Sequence, residues 1–60
     1  MAVDKALVGK RVALGAGVRH KEYAGLAGVI KKAVKSRNVY TIALDDGRYY
    51  DAAPENVEVK

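Results

Sequence analysis

The sequence predicts an all-β protein, a single small domain of five short strands bent into a barrel, with at most one 3₁₀ turn. Three observations point there. Apolar and polar residues alternate over several short runs, glycines fall at the junctions between those runs, and one junction is Asp45-Asp46-Gly47. No convincing helix is found beside them.

The first strand lies in Gly9-Lys10-Arg11-Val12-Ala13-Leu14, where Val12 and Leu14 point one way and Arg11 and Ala13 the other. Residues 1–7 before it read as a loose N-terminal extension. Gly15-Ala16-Gly17 ends the strand, and residues 18–27 form an irregular polar loop closed by Gly25 and Gly28. The second strand occupies residues 28–36, with Ile30 and Val34 apolar and lysines interleaved, and Ser36-Arg37-Asn38 is a short turn. Residues 39–44 are rich in β-branched residues and tyrosine, which favour a pleated, half-buried surface. Tyr40, Ile42 and Leu44 share one face there. Asp46-Gly47 between alternating runs is a strong hairpin signature, because glycine accepts positive φ without steric cost. Residues 48–53 form the return strand. Pro54-Glu55-Asn56 makes one tight turn, and Val57-Glu58-Val59 is a last strand with both valines facing inward.

A competing reading exists for Lys21 to Lys35. Tyr23, Leu26, Ile30, Ala33 and Val34 fall near helical spacing. Gly25 and Gly28 would each cost about 1 kcal/mol relative to alanine inside a helix. Loop plus strand is therefore preferred.

Size and composition narrow the options. A sixty-residue chain buries only about 60% of the surface its unfolded form exposes, so its stability margin is thin. With no cysteine there is neither a disulfide framework nor a thiolate zinc site. With no Phe and no Trp the core must be aliphatic, helped by tyrosine rings. A homo-oligomer would relieve the shortage of buried area. The start lacks the apolar run of a signal peptide, and no stretch has the length or hydrophobicity of a membrane span. A cytoplasmic location is the expectation.

The net charge of +4 conceals a segregation. Residues 9–38 carry eight cations against Glu22 alone, a balance of +7. Residues 39–60 carry Arg48 and Lys60 against Asp45, Asp46, Asp51, Glu55 and Glu58, a balance of −3. Such asymmetry is the usual footprint of a surface that meets a polyanion.

Taken together, Gly9-Lys10-Arg11-Val12, the corner Gly25-Leu26-Ala27-Gly28-Val29-Ile30, the run Val39 to Gly47 and the closing Glu55-Asn56-Val57-Glu58-Val59 resemble the SH3-like small barrels of the KOW and Tudor type. The resemblance covers nearly the whole chain, residues 1–60 as one domain. It implies a first strand, a long loop, a glycine corner opening the second strand, an acidic glycine turn after the third, and a short turn before the last. Such modules bind RNA, DNA or a protein partner. This chain departs from the SH3 domains that grip polyproline, because it has no tryptophan, and its four tyrosines make at most a loose aromatic cage. The KOW-like reading fits best, since it needs only corner glycines and a basic face.

Catalysis is not expected. Asp45, Asp46 and Asp51 lack the spacing of a calcium loop and read as turn residues, so no metal is assigned. His20 is the one histidine, with no recognisable nucleophile to activate. Gly15-Ala16-Gly17 imitates a dinucleotide fingerprint but lacks its third glycine and a following helix, so no cofactor is assigned. The basic set is the sharper feature. Lys10, Arg11, Arg19, His20 and Lys21 lie on the first strand and its loop, and Lys31, Lys32, Lys35 and Arg37 on the second strand and its turn. With Arg48, and with Tyr23 and Tyr49 for stacking, they form the candidate nucleic-acid interface. Alternation sends Tyr49 and Tyr50 to opposite faces, so only one of them is free for a ligand, while Tyr40 and the other serve the core. The rival expectation is a protein-interaction module that docks through a strand edge or a tyrosine-bearing face.

Overall fold

The computed structural model describes residues 3–59, so the first two residues of the expected extension and the charge of Lys60 lie outside the described residues. Five antiparallel strands form one sheet: β1 (Arg11–Leu14), β2 (Ala27–Val34), β3 (Val39–Leu44), β4 (Tyr49–Ala52) and β5 (Val57–Val59). Their order is β4-β3-β2-β1-β5. Three 3₁₀ turns punctuate the chain, at Lys5–Leu7, Lys21–Tyr23 and Pro54–Asn56. The expectation of at most one such turn was too low. The helical spacing seen from Lys21 onward yields a single turn, because Gly25 then takes φ of 82° and the chain enters β2.

The sheet must curl. In a flat five-stranded sheet the two edges would lie about 19 Å apart, at roughly 4.8 Å per strand. The link from Ala52 to Val57 contains one 3₁₀ turn, which rises only about 2 Å per residue, and reaches roughly 12 Å. Curling brings the edges within reach, yet the expected closed barrel does not form. Among the described residues β4 pairs only with β3, and β5 only with β1. The 3₁₀ turn occupies the gap, and β5 has only three residues to offer.

Pairing assigns the faces. Val12, Gly28, Leu44 and Ile30, Ile42, Tyr50 fall on the inner face, and Ala33, Tyr40 and Ala52 follow them. Val12, Leu14, Ile30, Tyr40, Ile42, Leu44 and Ala52 are buried in one cluster, with Val18 from the β1–β2 loop and Val3 from the N-terminal segment. Val3 and Leu7, within the segment expected to be loose, pack against the core, while Asp4, Lys5 and Ala6 stay exposed. Asp4 caps the first turn through its carboxylate, its own N–H donates to the Tyr40 hydroxyl at 2.6 Å, and Leu7 packs against the core. Tyr40 thus gains a polar partner at the buried end of its ring, and no buried side-chain polar atom among the described residues lacks one. Val57 is half-buried, but Val59, expected inside, is 51% exposed. It pairs with Val12 on the right parity, yet it ends β5, an edge strand of three residues.

Gly28 has the least room for a side chain of the six glycines. A Cβ there would collide with the carbonyl oxygen of Ala43 and lie 2.9 Å from both Ile42 Cγ2 and Leu44 Cα. Gly28→Ala should therefore cost about 1–3 kcal/mol through overpacking, read as a lowered urea midpoint. Ile42→Ala should cost about 2–5 kcal/mol. Val59→Ala should stay within roughly 0.5 kcal/mol. A Gly28→Ala protein as stable as the parent would contradict the close approach of β2 and β3.

Candidate nucleic-acid interface

The basic residues divide by what already holds them. Arg48 in the β3–β4 hairpin and Arg11 at the start of β1 are both held by acids of the hairpin loop. Gly47 N–H donates to the Leu44 carbonyl at 3.0 Å, Leu44 N–H to the Arg48 carbonyl at 2.7 Å, and Gly47 sits at φ of 95°. That is a three-residue hairpin loop ending in a left-handed glycine. Arg11 clamps Asp45 with two hydrogen bonds, at 2.9 and 3.2 Å. The Arg48 side chain and N–H both donate to Asp46. The third carboxylate, Asp51, accepts from the Thr41 hydroxyl at 2.9 Å. The three acids are thus held separately, and no cluster of three or more metal-ligating side chains occurs among the described residues.

The lysines of β2 are different. In a regular strand Ile30, Lys32 and Val34 would share the inner face, placing an ammonium in the core. The pairing steps from Ile30↔Ile42 to Lys32↔Thr41, so Lys31 is an extra residue, a bulge in β2. Bulges reset side-chain alternation. Lys31 and Lys32 both stay exposed, Ala33 turns inward opposite Tyr40, and Val34 moves outward. Lys10 stands across from Ile30, whose N–H donates to its carbonyl. Lys35 begins the turn into β3, which closes through the Asn38 N–H to the Lys35 carbonyl with Asn38 at φ of 54°. Among the described residues Lys10, Lys31, Lys32 and Lys35 form no ion pair.

Arg37, 71% exposed in its side chain, stands 3.9 Å from Asp51. It reaches a cavity of about 760 Å³ between the β1–β2 loop, the β4 edge and the last 3₁₀ turn, where Arg19, His20, Tyr49, Tyr50 and Asn56 also meet. Arg37 therefore links the lysine-rich hairpin to the loop set. Lys21 does not join them, because its ammonium donates to the Ala16 carbonyl at 2.8 Å.

No known family model matches this chain, and no curated protein or solved structure does either.

The aromatic residues also separate. Tyr23 and Tyr50 stack with ring centres 4.6 Å apart, His20 meets both edge-on, and the Arg48 guanidinium lies 5.0 Å from the Tyr23 ring centre. Those rings serve one another. Tyr49 is the free one of the tyrosine pair, 63% exposed, while Tyr50 packs against the core. Asn56, Tyr50 and Asp51 line the cavity but were not among the residues assigned to the interface from the sequence. Only the adjacency of the Pro54 turn to β4 hints at them, and the loop that completes the cavity lies far away along the chain.

Asp45 is held below the ordinary carboxylate range, chiefly by the hydrogen bonds from Arg11, and Asp46 likewise by the Arg48 side chain and then its N–H. A carboxylate whose folded value is depressed stabilises the fold above its unfolded pKa, and that contribution disappears as pH falls through the folded value. Both groups are exposed, so the effect is small and weakens with salt. Stability should accordingly fall as pH drops from about 5 toward 2. Asp45→Asn should flatten that part of the profile at low ionic strength, read from urea midpoints across the range. An unchanged profile would deny Asp45 its share.

Proposed function

We propose that this chain is a non-enzymatic nucleic-acid-binding module that holds phosphates on a basic face with little sequence preference. The observation that carries this reading is the bulged lysine pair. Lys31 and Lys32, followed by Lys35, sit on one hairpin with no acidic partner among the described residues. Uncompensated like charges repel one another, and a polyanion relieves that repulsion while releasing its own counterions. The SH3-like, KOW-type class belongs to the same proposal. The order β4-β3-β2-β1-β5 and the 3₁₀ turn before β5 support it, although the sheet stays open. Among the described residues no helix is long and apolar enough to cross a membrane.

One observation favours a second reading. β4 is an edge strand, and because Leu44 and Arg48 form a hydrogen-bonded pair, alternation turns the N–H and C=O of Tyr49 and Asp51 outward. An extended segment of a partner protein would find main-chain groups to pair with there.

Fluorescence anisotropy with labelled DNA and RNA across a salt series separates the two. Phosphate binding should give a steep slope of log affinity against log salt. Lys31→Ala or Lys32→Ala should each reduce that slope by about one for every phosphate left without its lysine. Affinity independent of salt, or no binding at low salt, would leave strand addition at β4 as the better account.

A further inference from the structure

We infer that the outer face of β2–β4 takes unpaired nucleotides, with a base stacked on Tyr49 and the neighbouring phosphate on Lys31 and Lys32. This rests on the nucleic-acid reading above and narrows it from polyanions in general to single strands.

The register places the parts. On the outer face one row runs Arg11, Val29, Ala43, Tyr49, and the next row runs Lys32, Thr41, Asp51, with Lys31 bulging beside Lys32. Tyr49 is thus flanked by the small side chains of Ala43 and, one strand further, Val29. Neither is tall enough to cover a phenol ring, which explains why Tyr49 stays 63% exposed while sitting in a strand. No ring among the described residues stacks on it, in contrast to Tyr23, Tyr50 and His20, which occupy one another. A large apolar ring in water beside a low shelf is the arrangement that a flat, partly apolar ligand completes.

The lysine pair lies two strands away, about 10 Å across the sheet, and one row along. That offset separates the charged part of a ligand from its flat part, as a nucleotide separates phosphate from base. The carboxylate in the lysine row, Asp51, is engaged by the Thr41 hydroxyl at 2.9 Å and faces Arg37. Its charge is thereby partly offset. Duplex nucleic acid would satisfy the lysines but not the ring, because paired bases keep their faces stacked on one another. A single strand satisfies both.

The test compares a short single-stranded oligothymidine, an abasic strand of the same length and charge, and a duplex of matching length, each labelled and titrated by anisotropy at fixed salt. The parent protein should bind the base-bearing strand more tightly than the abasic one, by roughly 5- to 150-fold for one stacked base. Tyr49→Ala should erase that difference and leave affinity for the abasic strand unchanged, while Tyr49→Phe keeps it. Lys31→Ala with Lys32→Ala should weaken all three ligands and lower the salt slope. Circular dichroism of each variant against the parent checks the fold, and an exposed ring can be removed without opening the core. If all three ligands bind alike with a steep salt slope and Tyr49→Ala behaves as the parent, this inference fails and the phosphate reading stands. If no oligonucleotide binds at low salt, both fail together.

Discussion

A single sheet can enclose its own core only by bending hard, and here the bend depends on a residue without a side chain. Gly28 lies in β2, the middle strand, where any Cβ would strike the backbone of β3. Close approach at that point lets Val12, Ile30, Ile42 and Leu44 converge into one cluster, though none of them is larger than an isoleucine or leucine. A chain with Phe or Trp could fill a wider, gentler curve. Without them, tight curvature is the way to leave no void.

The same economy governs the polar groups. Arginines are spent on architecture: Arg11 and Arg48 each lock an aspartate beside the β3–β4 loop, using the planar fork that suits carboxylates. The β2 lysines are left to water. The bulge at Lys31 reconciles two demands on one strand, since it keeps Ile30 and Ala33 inside while placing two consecutive ammonium groups outside. The feature is as much a solution to burial as to binding, because a strictly regular β2 would have buried a charge.

Much of the fold was legible in the residues. β3 lies at its expected bounds, the Asp46-Gly47 hairpin and the Pro54 turn are where local chemistry places them, and Tyr40, Ile42 and Leu44 share the core face. Local rules failed where distant parts of the chain meet. Val18 looked like part of a polar loop and is buried by the sheet that the loop crosses. Val3 gains its place through the partnership of Asp4 with Tyr40, which no short-range pattern reveals. Among candidate site residues, the charges of β2 were visible as a run, but not that a bulge would set both on one face. Composition alone also could not divide Arg11 and Arg48, held by acids, from the lysines of β2, held by none. The pairing of Tyr23 with Tyr50 is tertiary too, and it removes from the stacking set a ring that composition alone would include.

The position of β5 has a consequence for how the molecule assembles. β2, β3 and β4 are joined by short turns and can zip together as local hairpins, on the microsecond scale typical of such units. β1 is completed only when Val57 and Val59 arrive from the far end of the chain to pair with Leu14 and Val12. Closing that long loop carries the greatest entropic cost in the topology. Until it closes, β1 is an open edge, and the same three residues from another molecule would fit it equally well. The segment that finishes each copy is therefore also the one through which two copies would exchange strands in a crowded solution.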